Sequence, residues 1–432
     1  MRDVLVIGGG LAGVEAAWAL ANSGFSVTIA EMKPKKHSPA HKSDMLAELV
    51  CSNSLKAQRV GSAAGLLKAE MEILGSICVE CAKKCSVPAG GALAVDRDKF
   101  SEMITEKIKS HPRINVICEE ITEIPDGNVI VAAGPLASDA LAENIRTLCG
   151  GSLSFFDAAA PIVTDESIDK SCAFSQSRYD RGGEDDYLNC PMNKEEYELF
   201  YSELVNAESA ELHSFDKKKG VYEGCMPIEV MAGRGADTMR FGPLKPVGLT
   251  DPRTGHRPWA VLQLRREDAG GTMYNLVGFQ TNLKFGEQKR VFSLIPALKN
   301  AEFVRYGVMH RNTFIDSPRH LNSDFSFRGK DGLYFAGQIT GVEGYMESAS
   351  AGILAGLNMA RRLKGEEPLK LPDITMLGAL SGYISNESVT DFQPMGANFG
   401  ILPPLSEKIK DKKLRYEALA QRSLDWYKNN SI

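Results

Sequence analysis

The feature that most constrains this chain is a short apolar segment that runs into a glycine-rich turn near the amino terminus. Residues 3–7, Asp-Val-Leu-Val-Ile, predict a buried parallel strand, and Gly8, Gly10 and Gly13 follow in the spacing GxGxxG. In a dinucleotide-binding unit the first glycine permits a tight turn, the second lets a pyrophosphate approach the backbone, and the third allows close helix packing. The phosphates then lie at the positive end of the following helix. This segment therefore predicts a dinucleotide-binding unit.

A second strand extends this pattern. Residues 26–30, Ser-Val-Thr-Ile-Ala, predict a strand that leads to Glu31, about 20 residues after the turn. A carboxylate there accepts hydrogen bonds from ribose hydroxyls, and an acidic residue favours FAD or NAD over NADP. We therefore predict cofactor contacts from the turn, the start of the first helix and this carboxylate: Gly8, Gly9, Gly10, Leu11, Ala12, Gly13 and Glu31.

Two later segments complete the predicted site. Residues 128–132 predict a strand that ends close to Gly134, and residues 332–337 predict another that ends at Gly337. Small residues then continue into a helix whose positive end suits the oxygen side of a reduced, anionic flavin. Because the sequence contains no second GxGxxG, FAD is favoured as the permanent cofactor, and a nicotinamide is expected to enter transiently. The further cofactor contacts predicted here are Gly134, Gly337, Gln338 and Glu343.

Composition indicates an ordinary globular protein. The chain has 432 residues, of which 43% are hydrophobic and 24% charged, enough for two or three units with their own cores. The start of the chain leads into the first strand rather than into a signal sequence, and no segment is apolar enough to span a membrane. Nine irregularly spaced cysteines indicate reduced thiols, so we expect a cytoplasmic protein. The net charge of −5 argues against a protein that coats nucleic acid but permits a local basic face.

The alternation of strands and helices changes after residue 151. Residues 152–325 contain irregular polar stretches, one amphipathic helix and several strand-like segments, which predict an inserted α+β domain on the substrate and RNA side. Residues 1–151 and 326–432 then form the two parts of an FAD-binding domain, the second ending in a helix. Within the insert, residues 234–266 carry eight basic side chains, a density that fits either a solvated face or a surface for phosphates or polyglutamate.

Two cysteines lie in loops of unusual composition. Cys51 stands between an apolar segment and a polar turn, so it is either a thiol at the mouth of the flavin site or a buried structural residue. Cys225 is held between Gly224 and a Met-Pro pair, with a carboxylate on each side, which is unusual for a structural thiol.

Two further features leave alternatives open. Cys78, Cys81 and Cys85 resemble part of a zinc or iron–sulfur site, but no matching ligand pair lies nearby, so local packing is the other interpretation and we predict no metal site. Residues 32–43 contain four lysines and two histidines, which form either a solvated loop or a basic lip near a phosphate-bearing ligand or RNA.

Five motifs of this chain occur together and in the same order in one known family: residues 8–16, 51–56, 223–229, 239–249 and 337–345. With them the chain resembles the TrmFO family, the folate- and FAD-dependent tRNA (uracil-5) methyltransferases, over nearly its full length. The first and last motifs are shared with the larger GidA-type tRNA wobble-modification flavoproteins, whereas the two cysteine loops and residues 239–249 point to the methyltransferases.

The resemblance implies a fold, a reaction and roles for the two thiols. The fold would be α/β, with an FAD-binding, Rossmann-like domain of the GidA-related two-dinucleotide flavoprotein type and an inserted α+β domain. The reaction would be methylation of C5 of uridine 54 in the tRNA T-loop. The one-carbon donor would be 5,10-methylenetetrahydrofolate and the reductant NADPH or NADH. The resemblance assigns Cys225 as the nucleophile that adds to uracil C6 and Cys51 as a second functional thiol, which would remove the C5 proton or assist in the site. It implies no obligate protein partner.

Three alternatives remain at this stage. A related enzyme could perform the same chemistry on a ribosomal RNA uridine. A GidA-like wobble-uridine enzyme would be longer and would carry a helical domain that binds its GTPase partner. A non-catalytic flavin-bearing RNA-binding protein or chaperone would retain its function when Cys225 is replaced by alanine.

Overall fold

The computed structural model describes residues 4–38, 40–151, 153–180, 183, 186–210, 226–390 and 392–430. The strands are, in chain order, β1 (Val4–Ile7), β2 (Val27–Glu31), β3 (Ser54–Ala57), β4 (Ser86–Val87), β5 (Ala92–Val95), β6 (Ile114–Cys118), β7 (Val129–Val131), β8 (Leu153–Ala158), β9 (Ile162–Thr164), β10 (Phe174–Ser175), β11 (Leu188–Met192), β12 (Ala260–Arg266), β13 (Met273–Leu276), β14 (Phe303–Arg305), β15 (Met309–Phe314) and β16 (Leu333–Phe335). The α-helices are α1 (Leu11–Asn22), α2 (Ala63–Ile73), α3 (Ile77–Lys84), α4 (Arg97–Ser110), α5 (Asp139–Leu148), α6 (Lys194–Val205), α7 (Ile228–Gly233), α8 (Thr238–Phe241), α9 (Phe285–Phe292), α10 (Ser317–His320), α11 (Tyr345–Lys364), α12 (Met376–Ser385) and α13 (Lys412–Asn429).

A parallel sheet carries the glycine-rich turn. Its strand order is β6-β2-β1-β7-β16, and every neighbouring pair is parallel. Parallel sheets are covered on both faces, which is why β1, β7 and β16 are built almost wholly from buried apolar residues. The predicted strands near both ends of the chain are present. β16 pairs with β7 across about 200 intervening residues, so the chain returns to the first sheet after the insert, as predicted.

Helices α1 and α11 pack against each other through small residues. A Cβ on Gly352 would lie 2.1 Å from the carbonyl oxygen of Ala12, and one on Gly356 would lie 2.6 Å from that of Ala16. Glycine therefore allows two helix backbones to approach where any side chain would force them apart. This contact brings the amino-terminal ends of both helices to the carboxyl edge of the parallel sheet.

A second, antiparallel sheet forms most of the segment between β7 and β16. Its order is β10-β11-β12-β13-β9-β14, and each pairing is antiparallel. It has its own core, in which Phe200, Leu262 and Phe292 are fully buried. This sheet with α6, α7 and α9 is the α+β insert expected from the sequence; the limits set above at residues 1–151, 152–325 and 326–432 stay predictions.

The three closely spaced cysteines lie on or just after α3. Cys78, Cys81 and Cys85 belong to the hydrophobic core, and burial raises their pKa, to about 12 for Cys81. Within the described ranges, no group of three His, Cys, Asp or Glu side chains could hold a metal ion. The three thiols pack among the apolar side chains of the first core. No helix that the structure describes is long and apolar enough to cross a membrane.

Two buried glutamates lie at the starts of other helices. Glu15 accepts hydrogen bonds from the Ile77 and Cys78 backbone N–H groups at the start of α3. Glu70 on α2 accepts from the Met376 and Leu377 N–H groups at the start of α12. A carboxylate at a helix amino terminus satisfies N–H groups that have no partner within the helix. Burial nonetheless raises the pKa of both carboxyl groups to about 7.

Candidate active site

A cleft opens at the carboxyl edge of the parallel sheet, where ligands bind in this type of fold. It contains about 1030 Å³ of empty space, which includes its open mouth. Segments from the turn after β1, the end of β2, the end of β7 and the start of α11 line it. The lining residues include Gly8, Gly9, Gly10, Leu11, Ala12, Glu31, Gly134, Gly337, Gln338 and Tyr345.

The glycines of the turn have different structural roles. Gly8 has a φ of +104°, and a Cβ there would lie 2.6 Å from the Ala132 carbonyl oxygen. A Cβ on Gly13 would lie 1.9 Å from the Gly8 carbonyl oxygen, so this position is closed to side chains. A Cβ on Gly10 would have no atom within 4 Å, and no side chain caps the start of α1. The turn thus presents open space and free helical N–H groups to the cleft, the arrangement that binds a pyrophosphate.

Glu31 fixes the glycine-rich turn as well as lining the cleft. One carboxylate oxygen accepts from the Gly9 backbone N–H at 2.7 Å, and the other accepts from the Lys33 N–H at 3.0 Å. Each carboxylate oxygen has a further lone pair. Glu31 can therefore accept ribose hydroxyls, the role predicted for it, while it holds the turn.

Gln338 and Glu343, which lie far from Glu31 along the chain, form a hydrogen-bonded pair. The Gln338 side-chain amide lines the cleft and donates to the Glu343 carboxylate at 2.7 Å. Glu343 is buried and does not line the cleft itself. Its contact in the structure is thus with a cleft residue, and its role in cofactor binding stays a prediction.

The lysine-rich loop at residues 32–43 folds into the wall of the cleft. Lys33 is buried, donates to the Met45 carbonyl oxygen at 2.6 Å and pairs with Glu48 at 3.4 Å. His41 lines the cleft, and burial, reinforced by nearby Lys33, lowers its pKa. Carboxylates share the same wall, because Glu48, Glu119 and Glu120 also line the cleft. This part of the loop is therefore neither a fully solvated loop nor a purely basic lip.

Cys51 lies beside the cleft in the loop before β3. It is half-buried, and the residue before it, Val50, lines the cleft. Its Sγ is 2.9 Å from the hydroxyl oxygen of Tyr345, the first residue of α11. The same oxygen accepts from the backbone N–H groups of Cys51 at 2.8 Å and Ser52 at 3.3 Å. Burial of this hydroxyl raises the pKa of Tyr345 well above its usual value, so the phenol is neutral.

Three arginines also hold the Cys51 loop. Arg97 at the start of α4 donates to the Leu49 carbonyl oxygen at 2.8 Å, and Arg305 of β14 donates to that of Val50. Arg265 of β12 donates to the Ser52 hydroxyl and the Asn53 side chain, both at 2.9 Å. The roles of Arg97 and Arg305 could not be recognised in the sequence, because both residues are distant from Cys51 along the chain. Arg265, which the sequence placed in a basic segment, is buried rather than part of a basic surface.

Cys225 lies outside the described residues, so its predicted role is not addressed by the geometry. The segment that follows it is anchored on the insert. The Ile228 N–H donates to the Gln280 carbonyl oxygen at 2.7 Å, and the Glu229 carboxylate accepts from the Thr281 hydroxyl at 2.8 Å and the Asn282 N–H at 2.7 Å.

The basic segment at residues 234–266 is only partly an open surface. Arg240 pairs with Asp237 and stacks on Trp259 at 3.8 Å, and Arg253 pairs with Asp251. Close to this stacked pair, Phe241 is 84% exposed at the end of α8. An aromatic ring open to solvent among cations is one form that an RNA-binding surface takes.

Comparisons with known proteins identify the family. A family model described as glucose inhibited division protein A matches residues 3–367. The methylenetetrahydrofolate–tRNA-(uracil-5-)-methyltransferase TrmFO of Enterococcus faecalis is 57% identical over 98% of this chain and 97% of its own length. The TrmFO of Acetivibrio thermocellus is 59% identical over 97% of this chain and 96% of its own length. This chain belongs to the TrmFO family.

A solved structure confirms the fold of this TrmFO-family chain. GidA from Aquifex aeolicus aligns with a TM-score of 0.71 over 99% of this chain and 73% of that chain, at 17% identity. At this identity the likeness concerns the fold alone. The predicted GidA-related α/β fold is confirmed, and GidA is the longer protein, as the sequence comparison of the two types anticipated.

Proposed function

We propose that this protein methylates C5 of a uridine in the tRNA T-loop, with 5,10-methylenetetrahydrofolate as one-carbon donor and FAD as resident cofactor. The observation that carries the proposal is the position of Cys51: in a chain of the TrmFO family, a half-buried thiol adjoins the mouth of a dinucleotide cleft. NADPH or NADH serves as reductant, and the reaction takes place in the cytoplasm without an obligate protein partner.

The cleft residues fit FAD. The uncapped start of α1 and the open space at Gly10 suit its pyrophosphate, and Glu31 suits its ribose. Gly134, Gly337 and Gln338 line the remaining part of the cleft, where the ring system would lie. Bound FAD supplies the redox chemistry that turns the transferred one-carbon unit into a methyl group.

The two thiols divide the work on uracil. Uracil C5 is a weak nucleophile until a thiolate adds to C6, and we assign that addition to Cys225 because a thiolate adds readily and leaves again. The new S–C6 bond places negative charge on C5, which can then bond to the methylene carbon of the one-carbon unit. We assign Cys51 to accept the C5 proton, and loss of this proton allows the bond between the methylene carbon and its carrier nitrogen to break. A hydride equivalent, which bound FAD would supply, completes the methyl group, after which the S–C6 bond breaks and the Cys225 thiolate leaves.

The target base has to leave its stack to reach the cleft. We propose that the exposed part of residues 234–259 contacts the RNA, with Phe241 as a stacking surface and Arg257, which is also exposed, near the phosphates. Base–aromatic stacking is worth about 1–3 kcal/mol per base, so Phe241→Ala should raise the KM for tRNA by roughly tenfold with little change in fold.

A single-turnover assay tests the function. Purified wild-type protein, unmodified tRNA transcript, labelled methylenetetrahydrofolate and NADPH should give label at C5 of the T-loop uridine. Cys225→Ala and Cys51→Ala should each lower transfer by at least about 100-fold, the scale of a lost acid–base or nucleophilic group. Cys172→Ala is the matched control, because Cys172 is a half-buried thiol on the insert, and it should retain activity.

The same assay separates the alternatives. Transfer to ribosomal RNA alone would keep the chemistry and change the substrate. Retained activity in Cys225→Ala would remove the nucleophile assigned here. If neither RNA accepts label, the methyltransferase proposal fails.

A further inference from the structure

The Tyr345 hydroxyl is placed so that its hydrogen can point only toward sulfur. Its oxygen accepts from the N–H groups of Cys51 at 2.8 Å and Ser52 at 3.3 Å. Two accepted hydrogen bonds fill the acceptor capacity of a phenol oxygen. The third neighbour, the Cys51 Sγ at 2.9 Å, is therefore the acceptor of the phenolic hydrogen.

Two positively charged side chains lie near this sulfur. Arg97 and Arg305 each interact electrostatically with Cys51 as well as holding the carbonyl groups before it. Burial and the neighbouring Arg97 lower the pKa of Arg305, and burial and the neighbouring Arg305 lower that of Lys42. Such crowded cations are relieved by a nearby anion.

The carboxylates in this neighbourhood are already engaged. Glu267 forms a buried ion pair with Arg97 at 2.6 Å. Glu48 pairs with Lys33 and accepts from the Lys42 backbone N–H. Arg265 is held by Ser52 and Asn53 of the same loop. The charged groups around the sulfur therefore favour a negative charge on it.

We propose that the Tyr345 hydroxyl, together with Arg97 and Arg305, holds Cys51 as a thiolate at the mouth of the cofactor cleft. Tyr345 is then a positioning residue, which acts through the sulfur. The inference deepens the proposed function, on which its catalytic meaning rests, because a thiolate is the form of Cys51 that can accept the C5 proton of uracil and become a thiol.

Other cysteines supply internal references for a test. Burial raises the pKa of Cys81, Cys149 and Cys190, to about 12 for the first two, so these thiols react slowly at neutral pH. Cys172 is half-buried like Cys51, but its Sγ lies 3.7 Å from the Asp169 carboxylate, and its neighbouring cation, Arg253, is itself paired with Asp251. It is the matched reference thiol.

The test is alkylation of the flavin-loaded protein by iodoacetamide across a pH series, with each cysteine followed by peptide mass spectrometry. At pH 7 we expect Cys51 to react about tenfold faster than Cys172, because the thiolate is the reactive form. Tyr345→Phe keeps the ring and removes the donor, so it should move the Cys51 profile to higher pH by about one unit, which corresponds to a tenfold loss of rate near neutrality. The Cys172 profile should not move.

Two further variants make the result decisive. Arg305→Gln should shift the Cys51 profile in the same direction while leaving Tyr345 in place. Tyr197→Phe removes a phenol that donates to the Ala236 carbonyl on the insert, and it should leave the profile unchanged. The proposal is overturned if Cys51 reacts like Cys172 in the wild type, or if neither Tyr345→Phe nor Arg305→Gln shifts its profile.

Alkylation requires neither RNA nor folate. A reactive Cys51 in a protein that fails the transfer assay would support this inference and reject the proposed function. An ordinary Cys51 profile in a protein that methylates tRNA would do the reverse.

Discussion

Gly10 and Gly13 belong to one turn but have separable physical roles. The space next to Gly10 is open and belongs to the cleft, whereas the space next to Gly13 is filled by the Gly8 carbonyl group. Gly10 thus leaves room for the ligand, whereas Gly13 allows the strand and the helix to pack closely. Distances from a hypothetical Cβ distinguish these cases, although both glycines belong to the same motif.

This distinction predicts that two alanine variants differ in thermal stability. Gly10→Ala should weaken FAD binding by at least about tenfold, because its methyl group enters the space that the pyrophosphate needs. The flavin-free protein should keep its melting temperature, since Gly10 has an ordinary φ of −74°. Gly13→Ala should lower both the affinity for FAD and the melting temperature of the flavin-free protein, because overpacking costs about 1–3 kcal/mol or more.

Flavin fluorescence titration and thermal unfolding of the flavin-free protein check the pair. Equal loss of stability in both variants would mean that Gly10 also has a packing role. Unchanged flavin affinity in Gly10→Ala would place the pyrophosphate elsewhere.

At the scale of secondary-structure elements, buried carboxylates join helices that are distant in sequence. Glu70 of α2 accepts from the first N–H groups of α12 and from the Ser423 hydroxyl of α13 at 2.6 Å. These helices surround the α11 side of the cleft domain rather than lining the cleft. The contacts of Glu70 with these helices therefore affect the free energy of unfolding rather than ligand binding. Because Glu70 is titratable, this contribution should depend on pH.

Glu70→Gln should show this dependence. Burial raises the pKa of Glu70 from 4.5 to about 7, so the folded state binds the proton more tightly than the unfolded state. The resulting stability is complete below about pH 4.5 and is lost as pH rises through 7. The variant is less stable than wild type at pH 5, but the difference should narrow by on the order of 2–3 kcal/mol toward pH 8.

Urea unfolding at several pH values measures this difference. Glu80→Gln is the control, because Lys107 and Lys84 lower the pKa of Glu80 and leave it ionised throughout this range. Its difference from wild type should stay flat between pH 5 and 8. A flat difference for Glu70→Gln would show that Glu70 is ionised in the folded protein.

At the scale of the whole molecule, the Cys51 loop joins the two sheets. Arg97 belongs to the part of the chain that carries the parallel sheet, and its partner Glu267 follows β12 of the antiparallel sheet. The pair is largely buried, with side-chain exposures of 14% and 3%. The thiol is thus held at a junction, so that its position depends on both sheets at once.

Double substitution tests this junction. Arg97→Met and Glu267→Met should each cost about 3–5 kcal/mol, because each leaves one buried charge without its partner. The double variant should be more stable than the sum of the two losses predicts, since both charges are then removed. Additive losses in urea unfolding would show that the two side chains do not interact. Each single variant should also shift the Cys51 loop relative to the cleft. The fraction of flavin that each purified variant retains measures this effect.

Much of this architecture follows from local patterns. The strand predicted at residues 3–7 forms at Val4–Ile7, and the strand predicted at residues 26–30 forms at Val27–Glu31. The amphipathic and apolar repeats that identify such elements are short in range, so they can be recognised without the fold. The loop at residues 32–43 could not be interpreted in this way, because Lys33 is buried only by contacts with Met45 and Glu48.

The sequence by itself determined the dinucleotide-binding unit, the return of the chain to the first sheet, the α+β insert and the family. Each depends on spacing within a motif or on motif order. Tertiary structure alone decided that Tyr345 meets Cys51 across 294 residues and that Arg265 turns inward rather than toward solvent. The physical reason is that burial and hydrogen bonding between distant segments depend on which surfaces the folded sheets bring together. No local pattern of charge or hydrophobicity contains that information.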